Sequence, residues 1–264
     1  MKGPTRGQGA ISRPNSVAHG CIYTDVVYCY GMTPRYLTVI SFCAISACTT
    51  SLANRDAPAP QLPAASFSPA SCAVGIYGNR SGSFIAITRA ETGHLYAFDD
   101  GKVGPIGAKN PRVDCGSGSV LVNGNGVWPE IPIRQTDTRF VSEEVTLAGR
   151  LLEPVNADSR PPLVVYAHGS ERTGWIESFR DPYQMVGRGI SVFIYDKRGT
   201  GLSEGQYSQN FPRLADDLVA AADEARRLAG DRFGRFGLVG LSQGGWIAPL
   251  AAKRAQADFI ATGY

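Results

Sequence analysis

Residues Phe236–Ala252 read FGLVGLSQGGWIAPLAA. Phe236 to Val239 is a flat apolar run, the pattern of a strand buried on both faces. Gly240-Leu241-Ser242-Gln243-Gly244 matches G-x-S-x-G, and the stretch from Gly244 to Arg254 reads as a helix. A strand entering such a turn and a helix leaving it lift the serine hydroxyl out at the strand's carboxyl end, with the helix N-terminus behind it. Glycines are required there because side chains would strike the neighbouring strand and helix. Pro249 lies past the first helical turn and is expected to bend or weaken the helix. A second match, Gly201-Leu202-Ser203-Glu204-Gly205, competes with the first. At this glycine and serine content chance supplies about 0.25 matches, so context must choose. Ser203 follows the turn residues Lys197 to Gly201 and precedes the loop GQYSQNFP. Ser242 is therefore the candidate nucleophile.

Strands and helices alternate through the preceding hundred or so residues. Phe140 to Glu144 and Thr146 to Leu152 read as two antiparallel strands. Pro162 to Tyr166, PLVVY, and Ile190 to Tyr195, ISVFIY, are further buried strands, with helix around Tyr183 to Gly187 between them. Leu214 to Leu228 is a helix whose apolar positions Leu214, Leu218, Ala221, Ala222, Ala225 and Leu228 recur every three or four residues. The predicted class is α/β, a largely parallel sheet with helices on both faces. The 31 glycines in 264 residues, well above a usual ~7 %, suit such a turn-rich fold. A net charge of +3 gives no electrostatic case for nucleic acid. No His/Asp/Glu cluster at ligand spacing indicates a metal, and no phosphate loop indicates a cofactor.

The runs VVYAHGS, FIYDKRGTGLSEG and GLVGLSQGGWIAPLAA together resemble the α/β-hydrolase superfamily. The nearest branches are the prolyl-oligopeptidase-like and serine-aminopeptidase-like hydrolases. The resemblance covers roughly Phe140 to Tyr264 and implies a serine hydrolase that cleaves an ester or peptide bond through an acyl-enzyme on Ser242. It further implies an oxyanion hole from the backbone N–H groups of Gln243 and Ser170. It assigns His168 to shaping the oxyanion loop and Asp196 to a structural role.

That family places the catalytic acid and then the histidine after the serine. The sequence has three histidines, His19, His94 and His168, all before Ser242, and the carboxylate after it is Asp258 at the start of another strand. The expectation is the N-terminal part of a longer hydrolase, inactive alone, with an apolar edge strand near Phe259–Tyr264. The alternatives are a lipid-anchored non-catalytic binding protein on a hydrolase scaffold, and a rearranged enzyme with His94 or His168 as base.

Four segments are expected: 1–48 leader and signal, 49–66 tether, 67–135 small β-rich region and 136–264 hydrolase domain. Arg35, the apolar run LTVISFCAISA over Leu37 to Ala47, and then Cys48 have the layout of a secretory signal, and ISAC resembles a bacterial lipobox with Cys48 lipidated. A buried strand or helix is the other reading of that run. The Pro/Ala/Ser-rich stretch after Cys48 reads as a tether. Removal of the leader leaves Cys72 and Cys115, either a disulfide in an oxidising compartment or two separate buried residues. SFIAITRA and HLYAF over Ser83 to Phe98 read as a hairpin, Val120 to Val122 as another strand, and His94 as a solvent-facing or satisfied histidine. The implied location is the bacterial cell envelope, lipid-anchored and facing the periplasm or exterior, with a small ester or peptide as substrate.

Overall fold

The computed structural model describes residue 67, residues 72–155 and residues 160–263. The leader, Cys48 and the tether up to residue 66 lie outside the described residues. From Gly75 the chain first builds seven short strands: β1 (Gly75–Gly78), β2 (Phe84–Arg89), β3 (His94–Phe98), β4 (Val103–Pro105), β5 (Val113–Gly116), β6 (Ser119–Val122) and β7 (Val127–Ile131). They pair antiparallel in the order β4-β3-β2-β1-β7-β6-β5. One face buries Tyr77, Ile85, Ile87, Tyr96, Val113, Val120 and Val122. Cys72 and Cys115 join in a disulfide within that cluster, Cα to Cα 4.9 Å.

The chain passes across Pro132 into a second, six-stranded sheet made of β8 (Ile133–Ser142), β9 (Val145–Pro154), β10 (Leu163–Ala167), β11 (Ser191–Tyr195), β12 (Phe236–Leu241) and β13 (Phe259–Gly263). Its order is β13-β12-β10-β11-β9-β8. β9 runs against both its neighbours, and every other pairing is parallel. The helices are α1 (Asp181–Gly187), α2 (Phe211–Ala229) and α3 (Gln243–Ala252). The β8–β9 hairpin is longer than expected and its turn falls earlier. Ser142 pairs with Val145, and Glu143 takes φ 54°, so the first strand ends before Glu143 and Glu144.

The flat apolar strands alternate in space although not in polarity. Leu163, Val165, Phe193, Phe236 and Leu238 face one side, where they meet Leu214, Leu218 and Ala222 of α2 and Ile247, Ala248 and Ala251 of α3. Val164, Tyr166, Val192, Ile194 and Val239 face the other, where they meet Trp175, Ile176 and Tyr183, together with Ile76, Phe84 and Ala86 of β1 and β2. Both faces are covered, so neither set is free to be polar. α2 shows the matching one-sided pattern. Its N-cap Asn210 accepts the Arg213 N–H at 3.1 Å, and Pro212 stands in its first turn, where no intrahelical donor is needed. The sheet order and its helices make this part the core of an α/β-hydrolase fold, preceded by the antiparallel β region.

α1 connects the two sheets. Gln184 Nε2 donates to the Ala97 carbonyl at 2.6 Å, and an Arg188 guanidinium nitrogen donates to that of Asp99 at 2.6 Å. A Cβ at Gly187 would strike the Phe84 ring, so the α1 backbone lies directly on that side chain. Phe84 is 5 % exposed, and Phe84→Ala would empty the contact between α1 and β2. The expected loss is about 3–5 kcal/mol in urea unfolding monitored by fluorescence. A loss under about 1 kcal/mol would mean that the two sheets are not joined there.

Candidate active site

The turn between β12 and α3 places Ser242 at φ 52° and ψ −122°, a conformation that side-chain-bearing residues rarely adopt. The surrounding backbone holds it there. The Ser242 N–H donates to the Gly263 carbonyl at 2.9 Å, and its carbonyl accepts the Gly245 N–H at 2.9 Å. The two motif glycines are dictated by sterics. A Cβ at Gly240 would strike the Gly244 carbonyl, and one at Gly244 would strike the Ala167 carbonyl at the end of β10. The Ser242 side chain stays exposed. α3 continues to Ala252 through Pro249, which lies on its exposed side.

Ser242 lies in a depression of about 390 Å³ lined by Ser170, Gln209, Phe211, Ser242, Gln243 and Trp246. The three residues expected to form a nucleophile and oxyanion hole, Ser242, Gln243 and Ser170, therefore share one hollow at the carboxyl ends of β10 and β12. Larger space exists elsewhere. About 590 Å³ opens beside Phe98 and Trp128 in the seven-stranded sheet, and a hollow of similar size to the first, about 360 Å³, lies beside Arg150. Neither is lined by a serine on a strained turn, so chemistry rather than volume selects the site.

Ser203 is used structurally. Its Oγ donates to the Asp196 carbonyl at 2.6 Å and accepts the Ala148 N–H at 2.8 Å. Asp196, 1 % exposed, accepts the backbone N–H groups of Trp175 at 2.6 Å, Ile176 at 3.1 Å and Leu202 at 2.8 Å. Its carboxylate fastens two loops to the end of β11. Arg198 makes a two-point pair with Asp217 of α2, at 2.7 and 2.5 Å, and Asp217 is fully buried. Asp258 accepts the Phe236 N–H at 2.7 Å. None of these groups lines the depression.

In sequence Lys197 is a turn residue like its neighbours, yet it is 2 % exposed. Its Nζ donates to the Gly169 carbonyl at 2.6 Å and to Gln243 Oε1 at 3.1 Å. Burial pushes its ammonium down to about 8, with the Glu171 carboxylate acting in the opposite direction. The available signal was a lysine between the Asp and Arg that follow a buried strand. Tyr207 is the other missed residue. Its hydroxyl donates to the Ser170 carbonyl at 2.7 Å, and its ring lies under the Arg172 guanidinium at 4.4 Å.

His168 is 1 % exposed and packs against Trp175, ring centroids 4.2 Å apart. Its Nε2 accepts the Lys197 N–H at 3.3 Å, which assigns the proton of the neutral ring to Nδ1. Burial, reinforced by the Lys197 ammonium, lowers its pKa to about 3. His94 sits on β3 of the other sheet. No histidine lines the hollow that holds Ser242. Because the folded pKa of His168 lies below its ordinary 6.5, the unfolded chain binds the extra proton first as pH falls. Stability from this group is complete above about pH 6.5 and declines below it, by up to about 1.4 kcal/mol per pH unit toward pH 3. His168→Phe is expected to flatten the stability profile between pH 6.5 and 4 in urea unfolding. An unchanged slope would contradict a buried neutral imidazole.

Among curated proteins none matches the chain. Solved structures similar to it include a hypothetical protein, PA2218, from Pseudomonas aeruginosa, at 24 % identity over 50 % of this chain and 43 % of that one, TM-score 0.43. The Pyrococcus furiosus esterase Pf2001 is similar at 24 % identity over 45 % of each chain, TM-score 0.39. Est1E from Butyrivibrio proteoclasticus, solved with ferulic acid bound, is similar at 22 % identity over 47 % of this chain and 50 % of that one, TM-score 0.39. The chain thus spans half or less of each of these structures. Over residues 158–262, which carry β10, the serine turn and the loops around it, the chain matches the family model of the serine aminopeptidases, S33.

Proposed function

We propose that Ser242 is the nucleophile of a serine hydrolase that cleaves an ester or peptide bond. The observation that carries this reading is the exposed hydroxyl on a strained turn, in one hollow with Ser170 and Gln243. Ser242 Oγ attacks the substrate carbonyl carbon, and the carbonyl oxygen becomes an oxyanion. The N–H groups of Gln243 and Ser170 donate to it, each lowering the barrier by about 3 kcal/mol. Collapse of the adduct breaks the bond to the alcohol or amine, which departs with a proton, and water then releases the acyl group from Ser242. The base that takes the serine proton, and its carboxylate partner, come from outside the described residues. The burial of His168 and the position of His94 on the other sheet support this division. Phe211 and Trp246 in the lining suit a substrate with an apolar portion.

The experiment is labelling with a fluorophosphonate probe. Wild-type protein should be modified at Ser242 and Ser242→Ala should not, while Ser203→Ala should label like the wild type if it remains folded. A folded wild-type protein that includes the residues supplying the base and still takes no label would favour the second reading, a non-catalytic binding protein on this scaffold. The specific support for that second reading is the lack of any histidine in the lining.

We also propose that the chain is exported and anchored in a bacterial envelope through lipid on Cys48. The signal-like run before Cys48 supports this, as does the Cys72–Cys115 disulfide, since disulfides persist in oxidising compartments. Expressed in a bacterial host with labelled palmitate, the protein should incorporate the label, and Cys48→Ser should not. Equal incorporation in both would remove the anchor.

A further inference from the structure

Lys197 is an expensive residue to bury for a turn that a neutral side chain could hold. Its ammonium is almost fully enclosed and forms no ion pair among the described residues. The Glu171 carboxylate favours its charge without pairing with it directly, so the groups it touches define its use. One is the carbonyl of Gly169, at 2.6 Å, and the other is the side-chain oxygen of Gln243, at 3.1 Å. The carbonyl of Gly169 and the N–H of Ser170 belong to one peptide unit. That peptide is trans, so the two groups point in opposite directions. Gly169 is buried and Ser170 is exposed, and Ser170 lines the hollow while Lys197 does not. The ammonium therefore sits on the carbonyl side of the peptide whose N–H belongs to Ser170, a residue of the hollow that holds Ser242.

We propose that Lys197 is a positioning residue for the reaction at Ser242: its ammonium holds and polarises the Gly169–Ser170 peptide so that the Ser170 N–H is aimed at the developing oxyanion. The inference rests on the reading of Ser242 as nucleophile. A cation on the carbonyl side of an amide draws electron density from nitrogen and strengthens its N–H as a donor. The second bond, to Gln243 Oε1, ties the same ammonium to the residue that supplies the other donor. Tyr207 completes the hold, because its hydroxyl donates to the Ser170 carbonyl and its ring centroid lies 5.2 Å from Lys197 Nζ. Both peptide units flanking Ser170 are thus held by a hydrogen bond to their carbonyl oxygen. Lys, rather than Arg, suits this geometry because a compact ammonium can bond a single carbonyl and a single amide oxygen in different directions. The charged and titratable groups around Lys197 are His168, Glu171 and Tyr207, with Arg172 on the Tyr207 ring, and burial lowers the Lys197 pKa to about 8.

The test uses the whole chain with glycine carbonyl carbons labelled with 13C and serine nitrogens with 15N, so that the Gly169–Ser170 peptide can be followed by NMR. The wild-type signal should shift between pH 6 and 10 with a midpoint near 8. The signal should not titrate over that range in Lys197→Met, and Lys197→Arg should hold its low-pH position throughout. The rate of Ser242 labelling by a fluorophosphonate should fall about 10- to 100-fold in Lys197→Met, with partial recovery in Lys197→Arg. A Gly169–Ser170 signal that is still in the wild type, or that titrates equally in Lys197→Met, overturns the inference. If Lys197→Met fails to fold, the wild-type titration and the Lys197→Arg profile still decide. A wild-type chain whose peptide signal titrates but whose Ser242 takes no label overturns the nucleophile reading and leaves the Lys197–peptide coupling standing.

Discussion

The carbonyl of Ala167 occupies the space that any side chain at position 244 would need. That single close approach of β10 to the start of α3 organises the site. It demands glycine at 244 and brings the helix onto the sheet. The same turn demands glycine at 240, where the Gly244 carbonyl stands in the way. Between these two constraints Ser242 is left in a backbone conformation that it would not choose alone, with its N–H bonded to Gly263 and its side chain facing out. Strain of this kind costs on the order of 1–3 kcal/mol and persists only where the surroundings over-determine it. Here the surroundings are the α2 and α3 layer on one face and the β10–β12–β13 ladder beside the turn.

The second organising feature is the loop that leaves β11. Three consecutive charged side chains, Asp196, Lys197 and Arg198, are all buried, and each secures a different segment. Asp196 collects the N–H groups of Trp175, Ile176 and Leu202, so its charge is met by donors rather than by an ion. Arg198 clamps α2 through Asp217. Lys197 reaches between the loop after β10 and the first residue of α3. Buried charges contribute little net stability even when well paired, and removal of one partner is strongly destabilising. A loop that carries three of them fixes geometry more than it adds to stability, which is what a site assembled from three separate loops requires. The glycines of this loop follow the same logic. A Cβ at Gly201 would strike the Asp196 carboxylate, and one at Gly199 would strike the backbone at Tyr207.

Much of this was legible in the residues. Flat apolar runs at Pro162–Tyr166, Ile190–Tyr195 and Phe236–Val239 identified strands covered on both faces, and the three- and four-residue spacing of Leu214 to Leu228 identified α2. Context alone separated Ser242 from Ser203, because a strand precedes one and a turn precedes the other. The role of Ser203 was not legible, since its partners, the Asp196 carbonyl and the Ala148 N–H, are 7 and 55 residues away. Nor was the burial of Lys197, because in sequence it lies in a polar turn and nothing local distinguishes it from an exposed lysine. The exact place of the hairpin turn was not legible either, since the left-handed backbone of Glu143 has no local signature in a residue type that seldom adopts it.

Periodicity and steric need are local properties, and they determined from the sequence alone that the chain makes an α/β core with a serine turn at Gly240–Gly244. Strand order, the joining of the two sheets by α1 over Phe84, and the bonding of Lys197 to both Gly169 and Gln243 came instead from packing between distant elements. The physical reason is distance along the chain. Each of these contacts joins segments tens of residues apart, and their alignment depends on how whole elements pack rather than on any pattern within one of them.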